Sequence, residues 1–151
     1  MRAPFQILAI PYRERGGELQ YCVLRRSDMD VWQFVAGGGE AGESPAEAAV
    51  REIAEETGVR DAALLPLTSM CYIRSDIFKN DGWPEDLYVI PEYSFGFCCK
   101  TPLTLSPEHT ERRWLPFAEA YWLLRYDSNR TALYELGCRL TAAKQTDFTS
   151  K

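Results

Sequence analysis

The sequence predicts an α/β fold in which a mixed β-sheet is covered by helices. Three observations carry this. Short apolar runs of strand length alternate irregularly with longer helical patterns. A Gly16-Gly17 turn between two such runs signals a hairpin, so part of the sheet is antiparallel. One helix, following a run of three glycines, has unusually clear start and stop signals.

In chain order, residues 6–10 and 19–24 read as the two hairpin strands. Residues 31–35 form a further strand that runs into Gly37-Gly38-Gly39. The helix then begins with Ser44 as N-cap, Pro45 at the first helical position and Glu47 completing a capping box. Gly58 fits the position just past its end. Ala46, Ala49, Val50, Ile53 and Thr57 recur at helical spacing as a core-facing stripe. Residues 64–73 and 88–99 read as strands. Between them, residues 76–86 contain Asn80-Asp81-Gly82 and Pro84 and read as a loop. A short strand at 111–115 precedes helices at 116–124 and 128–143, the second with Leu133, Leu136 and Leu140 on one side.

The chain of 151 residues suits one domain spanning 1–151, and at that length one core buries most of the apolar surface. Hydrophobic residues at 46% and charged residues at 26% are ordinary for a soluble globular protein. The net charge of −5, with no basic patch, argues against a duplex nucleic acid partner. A small polyanion remains compatible if a metal and a few arginines supply local positive charge. No apolar run approaches the ~18 residues of a membrane span, and residues 1–11 lack the pattern of a signal peptide. Cys22, Cys71, Cys98, Cys99 and Cys138 include no Cys-x-x-Cys pair, and His109 is the sole histidine. Reduced thiols in a cytoplasmic protein are therefore expected, and a zinc site is not.

Chemistry concentrates between residues 37 and 59. Gly37 and Glu43 lead to Arg51-Glu52-Ile53-Ala54-Glu55-Glu56-Thr57-Gly58. Glu52, Glu55 and Glu56, spaced i, i+3 and i+4, share one helix face. Three glutamates there are ordinarily a solvated surface. Yet Glu52 and Glu56 repel across one turn, and the helix dipole disfavours negative charge in the last turn. Each effect costs a few tenths of a kcal/mol up to ~1, and Arg51 and Arg60 offset them in part. A bound divalent cation would reverse both, and magnesium takes such oxygen ligands.

This segment resembles the signature box of the Nudix hydrolases, with every fixed position matched; a chance match is on the order of 1 in 10⁸. The resemblance implies an α/β/α sandwich with the catalytic helix on one face of a mixed sheet. It implies Mg2+, with Mn2+ as a substitute, held by Glu52, Glu55, Glu56 and the Gly37 carbonyl. Arg51 and Glu43 would hold loop and helix in register. The reaction would be attack of water on a phosphoanhydride.

Arg25-Arg26-Ser27-Asp28, Val31-Trp32-Gln33-Phe34, Glu108-His109, Trp114-Leu115 and Ser128-Asn129-Arg130 resemble segments of dihydroneopterin triphosphate pyrophosphohydrolases. The resemblance implies cleavage of a nucleoside- or pterin-type triphosphate (dihydroneopterin triphosphate or a dNTP) to monophosphate and pyrophosphate. Trp32, Arg25, Arg130 and Asn129 would contact substrate. Trp32 could equally be core, and the arginines surface groups. Tyr72, Arg74, Trp83 and Tyr93 are further candidates for the base pocket. Glu108 is the expected general base, with Glu111, His109 and a glutamate of the box as alternatives. Hydrolysis of a dinucleoside polyphosphate or nucleoside diphosphate derivative is the second expectation. The proline that marks ADP-ribose-cleaving members is missing, since Pro66 comes too early. A nucleotide-binding sensor without activity is the third, and the intact box speaks against it. Monomer and homodimer are both compatible with the sequence.

Overall fold

In the computed structural model, residues 1–78 and 82–149 are described, with side chains through residue 143. Asn80 and Asp81 of the expected loop lie outside the described residues. The strand β1 (Arg2–Arg15) organises the sheet. Along one edge it pairs in parallel with β6 (Val89–Cys98), from Gln6 opposite Glu92 to Tyr12 opposite Cys98. Its other edge is divided. The first part pairs antiparallel with β4 (Val35–Glu40), and the end pairs antiparallel with β2 (Glu18–Arg26) across the Gly16-Gly17 turn. β5 (Leu64–Arg74) extends the sheet beyond β6, and β3 (Trp32–Gln33) and β7 (His109–Leu115) flank β2, all antiparallel. The sheet is mixed, as expected.

Alternation in β1 explains the layers. Ile7 and Ala9 face the helix α1 (Pro45–Thr57), in clusters with Ala48, Ala49 and Ile53. Leu8 and Ile10 face the opposite way, onto Ala120 of α2 (Phe117–Leu123) and Ala132, Leu133 and Leu136 of α3 (Asp127–Thr149). A strand covered on both faces reads as a continuous apolar run, which residues 7–10 supply. The result is an α/β/α sandwich.

Two features differ from the sequence reading. The strand at 31–35 is broken at Phe34, and the new strand β4 continues through the three glycines. None of the three has positive φ, so they do not make a turn. They permit close approach: a Cβ on Gly38 would lie 2.6 Å from the Arg2 guanidinium, one on Gly39 would enter the Phe5 ring, and one on Gly37 would overlap the Glu52 carboxylate. On α1 the buried residues are Ala48, Ala49, Ile53, Glu56 and Thr57, while Ala46 is exposed. The inward stripe is rotated so that a glutamate lies on it.

The helix ends match expectation. The Ser44 hydroxyl accepts from the Glu47 N–H at 3.1 Å, and the Glu47 carboxylate accepts from the Ser44 N–H at 3.0 Å. Gly58, with φ of 77°, closes the helix by donating to the Ala54 carbonyl. All five cysteines are free, and burial pushes the Cys22 thiol up to about 12. Among the described residues no helix is long and apolar enough to cross a membrane.

Replacing Ser44 by Ala removes one half of the capping box, and denaturant unfolding should show a loss of about 1 kcal/mol.

Candidate functional site

The end of α1 carries the carboxylates. Arg51 stands among four of them. Its guanidinium donates to both oxygens of Glu43 at 2.8 and 2.9 Å, to Glu52 at 3.0 Å and to the Gly38 carbonyl at 2.9 Å. It reaches Glu55 at 3.3 Å and Glu40 at 3.9 Å. Glu43 in turn accepts from the Glu40 N–H at 2.8 Å. One guanidinium therefore ties the glycine strand, the following loop and the helix together. Hydrogen bonding to Arg51 holds the Glu43 carboxyl below the usual range.

Arg51 answers Glu43, Glu52 and Glu55, and leaves Glu56. That side chain is 1% exposed, and its Oε2 has no partner. Burial, then the nearby Glu52 and Glu108 carboxylates, push Glu56 far above the usual carboxylate range. Burial raises Glu52 as well, against the pull of Arg51. Two adjacent carboxylates, one buried and the other 13% exposed in its side chain, disfavour a double negative charge unless a cation joins them. Glu55 is 57% exposed in its side chain and turned to Arg51.

The loop after β6 hangs from the same helix end. The Thr104 N–H donates to the Thr57 carbonyl at 2.8 Å, and the Ser106 N–H to the Glu56 carbonyl at 3.2 Å. The Ser27 hydroxyl donates to the Glu108 carbonyl at 3.0 Å. This brings exposed Glu108 and buried His109 to the carboxylates, with His109 Nε2 3.5 Å from Glu56 Oε1. Burial, reinforced by Arg26, lowers the His109 pKa, so the imidazole is neutral near pH 7. Its Nδ1 has no partner.

These groups open onto a cleft of about 840 Å³. Gly37, Glu56, Glu108 and His109 line it together with Gln6, Glu92 and Asn129. Arg2 adds positive charge, Arg26 is paired with Asp28 on the same wall, and Phe78, with the Arg2 guanidinium 4.5 Å over its ring, adds an aromatic face. A smaller cavity of about 220 Å³ shares Glu92 and Ser128 with the cleft but not Gly37 or Glu56. Asn129, 3% exposed, has an unpartnered Nδ2. Glu92 is 8% exposed and accepts from the Cys71 thiol at 3.5 Å.

Of the substrate contacts expected from the sequence, Asn129 lines the cleft, and Trp32, Arg25 and Arg130 do not. Trp32 packs against the core under the Arg113 guanidinium, 4.7 Å from its ring centre. Arg25 pairs with Asp30 at 2.8 Å and Glu111 at 3.6 Å. Arg130 donates to the Leu124 carbonyl at 2.5 Å and the Tyr121 carbonyl at 3.1 Å, stitching α2 to α3. Tyr72 is exposed, Arg74 pairs with Asp76, Trp83 donates to the Arg2 carbonyl, and Tyr93 stacks edge-on against Phe5. None of these four lines the cleft. Glu92, Gln6 and Arg2 were not singled out by sequence. Glu92 had a signal: a charged residue at an inward position of an otherwise apolar strand.

Among the described residues no three His, Cys, Asp or Glu side chains group into a ready metal cage. Magnesium does not demand one, since it uses one or two carboxylates plus substrate oxygens and water. The unpartnered Glu56 oxygen beside Glu52 fits that donor set.

A family model described as the NUDIX domain matches residues 4–136. Dihydroneopterin triphosphate diphosphatase of Escherichia coli K12 is 30% identical over 138 residues, covering 87% of this chain and 91% of that protein. A crystal structure described as a Nudix hydrolase, from Listeria monocytogenes, superposes with a TM-score of 0.83 at 44% identity, covering 93% and 97% of the two chains. RNA pyrophosphohydrolase of Rhodospirillum rubrum is 41% identical over 73 residues; the match covers 44% of this chain and 44% of that protein. Another curated relative is matched over 32% of its length.

Burial raises the Glu92 carboxyl from its ordinary 4.5 to about 7. Its folded value lies above its unfolded one, so burial carries no penalty below pH 4.5 and its full penalty above about pH 7. Between those limits the group removes about 3 kcal/mol of stability as pH rises. In chemical denaturation, Glu92→Gln should gain on wild type steadily over that window.

Proposed function

The chain belongs to the Nudix hydrolase family, and from that premise we propose that it is a magnesium-dependent pyrophosphohydrolase of a nucleoside- or pterin-type triphosphate. The products are the monophosphate and pyrophosphate, and manganese substitutes for magnesium. One observation carries the reading. Glu56 is a buried carboxylate with an unpartnered oxygen, set beside Glu52 at the wall of a cleft that also receives Glu108. A carboxylate so placed is stable as an anion only with a cation in front of it.

In this reading Glu52, Glu56 and the Gly37 carbonyl hold the metal, and Glu55 is the third carboxylate of the set. Arg51 fixes the helix against the glycine strand. When bound, magnesium neutralises charge on phosphate oxygens and lowers the pKa of a coordinated water. The protein's own part is positioning and electrostatics. Glu108, exposed at the cleft edge, accepts the proton of the attacking water. Neutral His109 holds Glu56 in orientation. Arg2 draws the polyphosphate into the cleft. The similarity to the E. coli dihydroneopterin triphosphate diphosphatase, over most of both chains, supports a triphosphate substrate.

Specificity constants for dihydroneopterin triphosphate, the four dNTPs and a dinucleoside tetraphosphate under one magnesium condition test the substrate class. Release of pyrophosphate from the triphosphates supports it, and turnover of the dinucleotide alone replaces it. Glu56→Gln should lower kcat by at least about 100-fold, with an unchanged circular dichroism spectrum. Magnesium alone should raise the Tm of the wild type, and raise that of Glu56→Gln much less, because a ligand of the folded state stabilises it. Equal Tm shifts in the two proteins would remove Glu56 from the metal site. Gly37→Ala places a methyl group where the Glu52 carboxylate sits, and should lose activity to a similar degree without any change of charge.

A further inference from the structure

Glu92 is a buried acid that the proposed chemistry does not use. It sits on β6 directly opposite Gln6 of β1, and both side chains are buried at the cleft. Among the described residues its only side-chain partner is the Cys71 thiol, a weak donor, and it has no ion pair. Structural buried acids are ordinarily paired with arginine or lysine, or held by several N–H groups. Even half-buried Glu135 has such support: it accepts from the Thr68 and Ser69 N–H groups and from Arg139. Glu92 has none of that support, so its unmet acceptor capacity faces the cleft.

Its location indicates what it meets. Glu92 and Ser128 also line the adjoining small cavity, which Gly37, Glu56, Glu108 and His109 do not reach. Glu92 therefore lies toward the end of the cleft away from the carboxylate helix. A carboxylate repels a polyphosphate, so what reaches this end is the other part of the substrate, its ring. Ile73, Ile77 and Phe78 in the cleft wall offer the ring an apolar surface. Asn129, also in the wall, presents the unpartnered amide donor, buried to 3% exposure.

We propose that Glu92 selects the ring of the substrate, accepting from the adjacent ring N–H and exocyclic amine of a 2-amino-4-oxopyrimidine edge, the edge common to guanine and pterins, while the Asn129 amide donates to the neighbouring ring carbonyl. An ionised carboxylate only accepts, so it matches an edge with two adjacent donors. Adenine offers one donor beside an acceptor, and hypoxanthine lacks the amine. A site built to hydrogen-bond a group rejects the analogue lacking it, because its own polar atoms are then left buried and unpaired. Burial disfavours the Glu92 anion and raises its carboxyl to about 7, and two ring donors are the partners that stabilise its ionised form.

This inference rests on the triphosphate reading for its kinetic test but has a separate binding test. The kinetic test compares kcat/KM for dGTP and dITP, which differ only in the 2-amino group. Wild type should prefer dGTP by at least about tenfold, and Glu92→Gln should bring the ratio within about threefold of unity. A ratio measured on one protein is insensitive to loss of folded fraction. Should Glu92→Gln fail to fold, Asn129→Ala leaves β6 intact and should shrink the preference for dGTP over 2-aminopurine deoxyriboside triphosphate, which lacks the carbonyl. The binding test is calorimetry with dGMP and dIMP, where wild type should again favour the amine-bearing ligand and Glu92→Gln should not. Turnover of dGTP and dITP at equal efficiency would overturn the assignment and leave the triphosphate reading standing. Preferential binding of dGMP with no turnover of any triphosphate would uphold Glu92 and overturn the triphosphate reading. An unchanged dGTP to dITP ratio in Glu92→Gln would also sink the proposal.

Discussion

The Arg51 guanidinium is surrounded by more negative charge than it can neutralise, and the organisation of the site depends on that imbalance. It spans Glu43, Glu52, Glu55 and the Gly38 carbonyl, and so fixes the helix against the strand that precedes it. The approach is close enough that the strand can carry no side chain at Gly37. Glycine there serves packing density, and the packing seats Glu52 against the strand while Glu56 reaches the cleft wall. Arg51 organises the acids without cancelling them, and the remainder falls on Glu56. A half-compensated buried network is unfavourable for a purely structural element. It is suited to an element whose remaining positive charge comes from outside the chain.

Much of the fold was legible because local signals agreed with the tertiary arrangement. Ser44, Pro45, Glu47 and Gly58 delimit a helix by rules that involve only neighbouring backbone. The apolar run at residues 6–10 indicated a strand, and the structure covers it on both faces. Local signals mislead where a residue's role is set by a distant partner. The three glycines read as the end of a strand, since nothing local reveals that Arg2, Phe5 and Glu52 lie across from them. By residue type the stripe on α1 passes through Ala46, since alanine is apolar and glutamate is not. Burial of a charged residue reverses that choice, and composition cannot announce it.

The same division runs through the site. The spacing of the glutamates was readable because a helix converts spacing into a shared face, whereas the clamp of Arg51 on Glu43, which lies outside the helix, was expected from the family resemblance alone. The substrate end was not. Trp32, Arg25 and Arg130 were attractive for their residue types, but in the fold they serve the core, a surface ion pair and a helix junction. Glu92 and Gln6 come from strands far apart in sequence, and only the parallel pairing of β1 with β6 makes them neighbours. Parallel pairing leaves no local turn signature, so this part of the cleft had no sequence marker beyond a misplaced charge.

The connection between β6 and β7 has a further consequence. By its position, on the surface between two strands, it is the kind of segment expected to tolerate insertions and deletions freely. Here its backbone donates to the carbonyls of Glu56 and Thr57, groups that a helix leaves unsatisfied at its C-terminus. The segment that delivers Glu108 is thus also what finishes the helix. Lengthening it would loosen the helix end and displace the acid together. Its evolutionary freedom is confined to exposed side chains such as Lys100 and Thr101, while its length and backbone path are inherited with the helix.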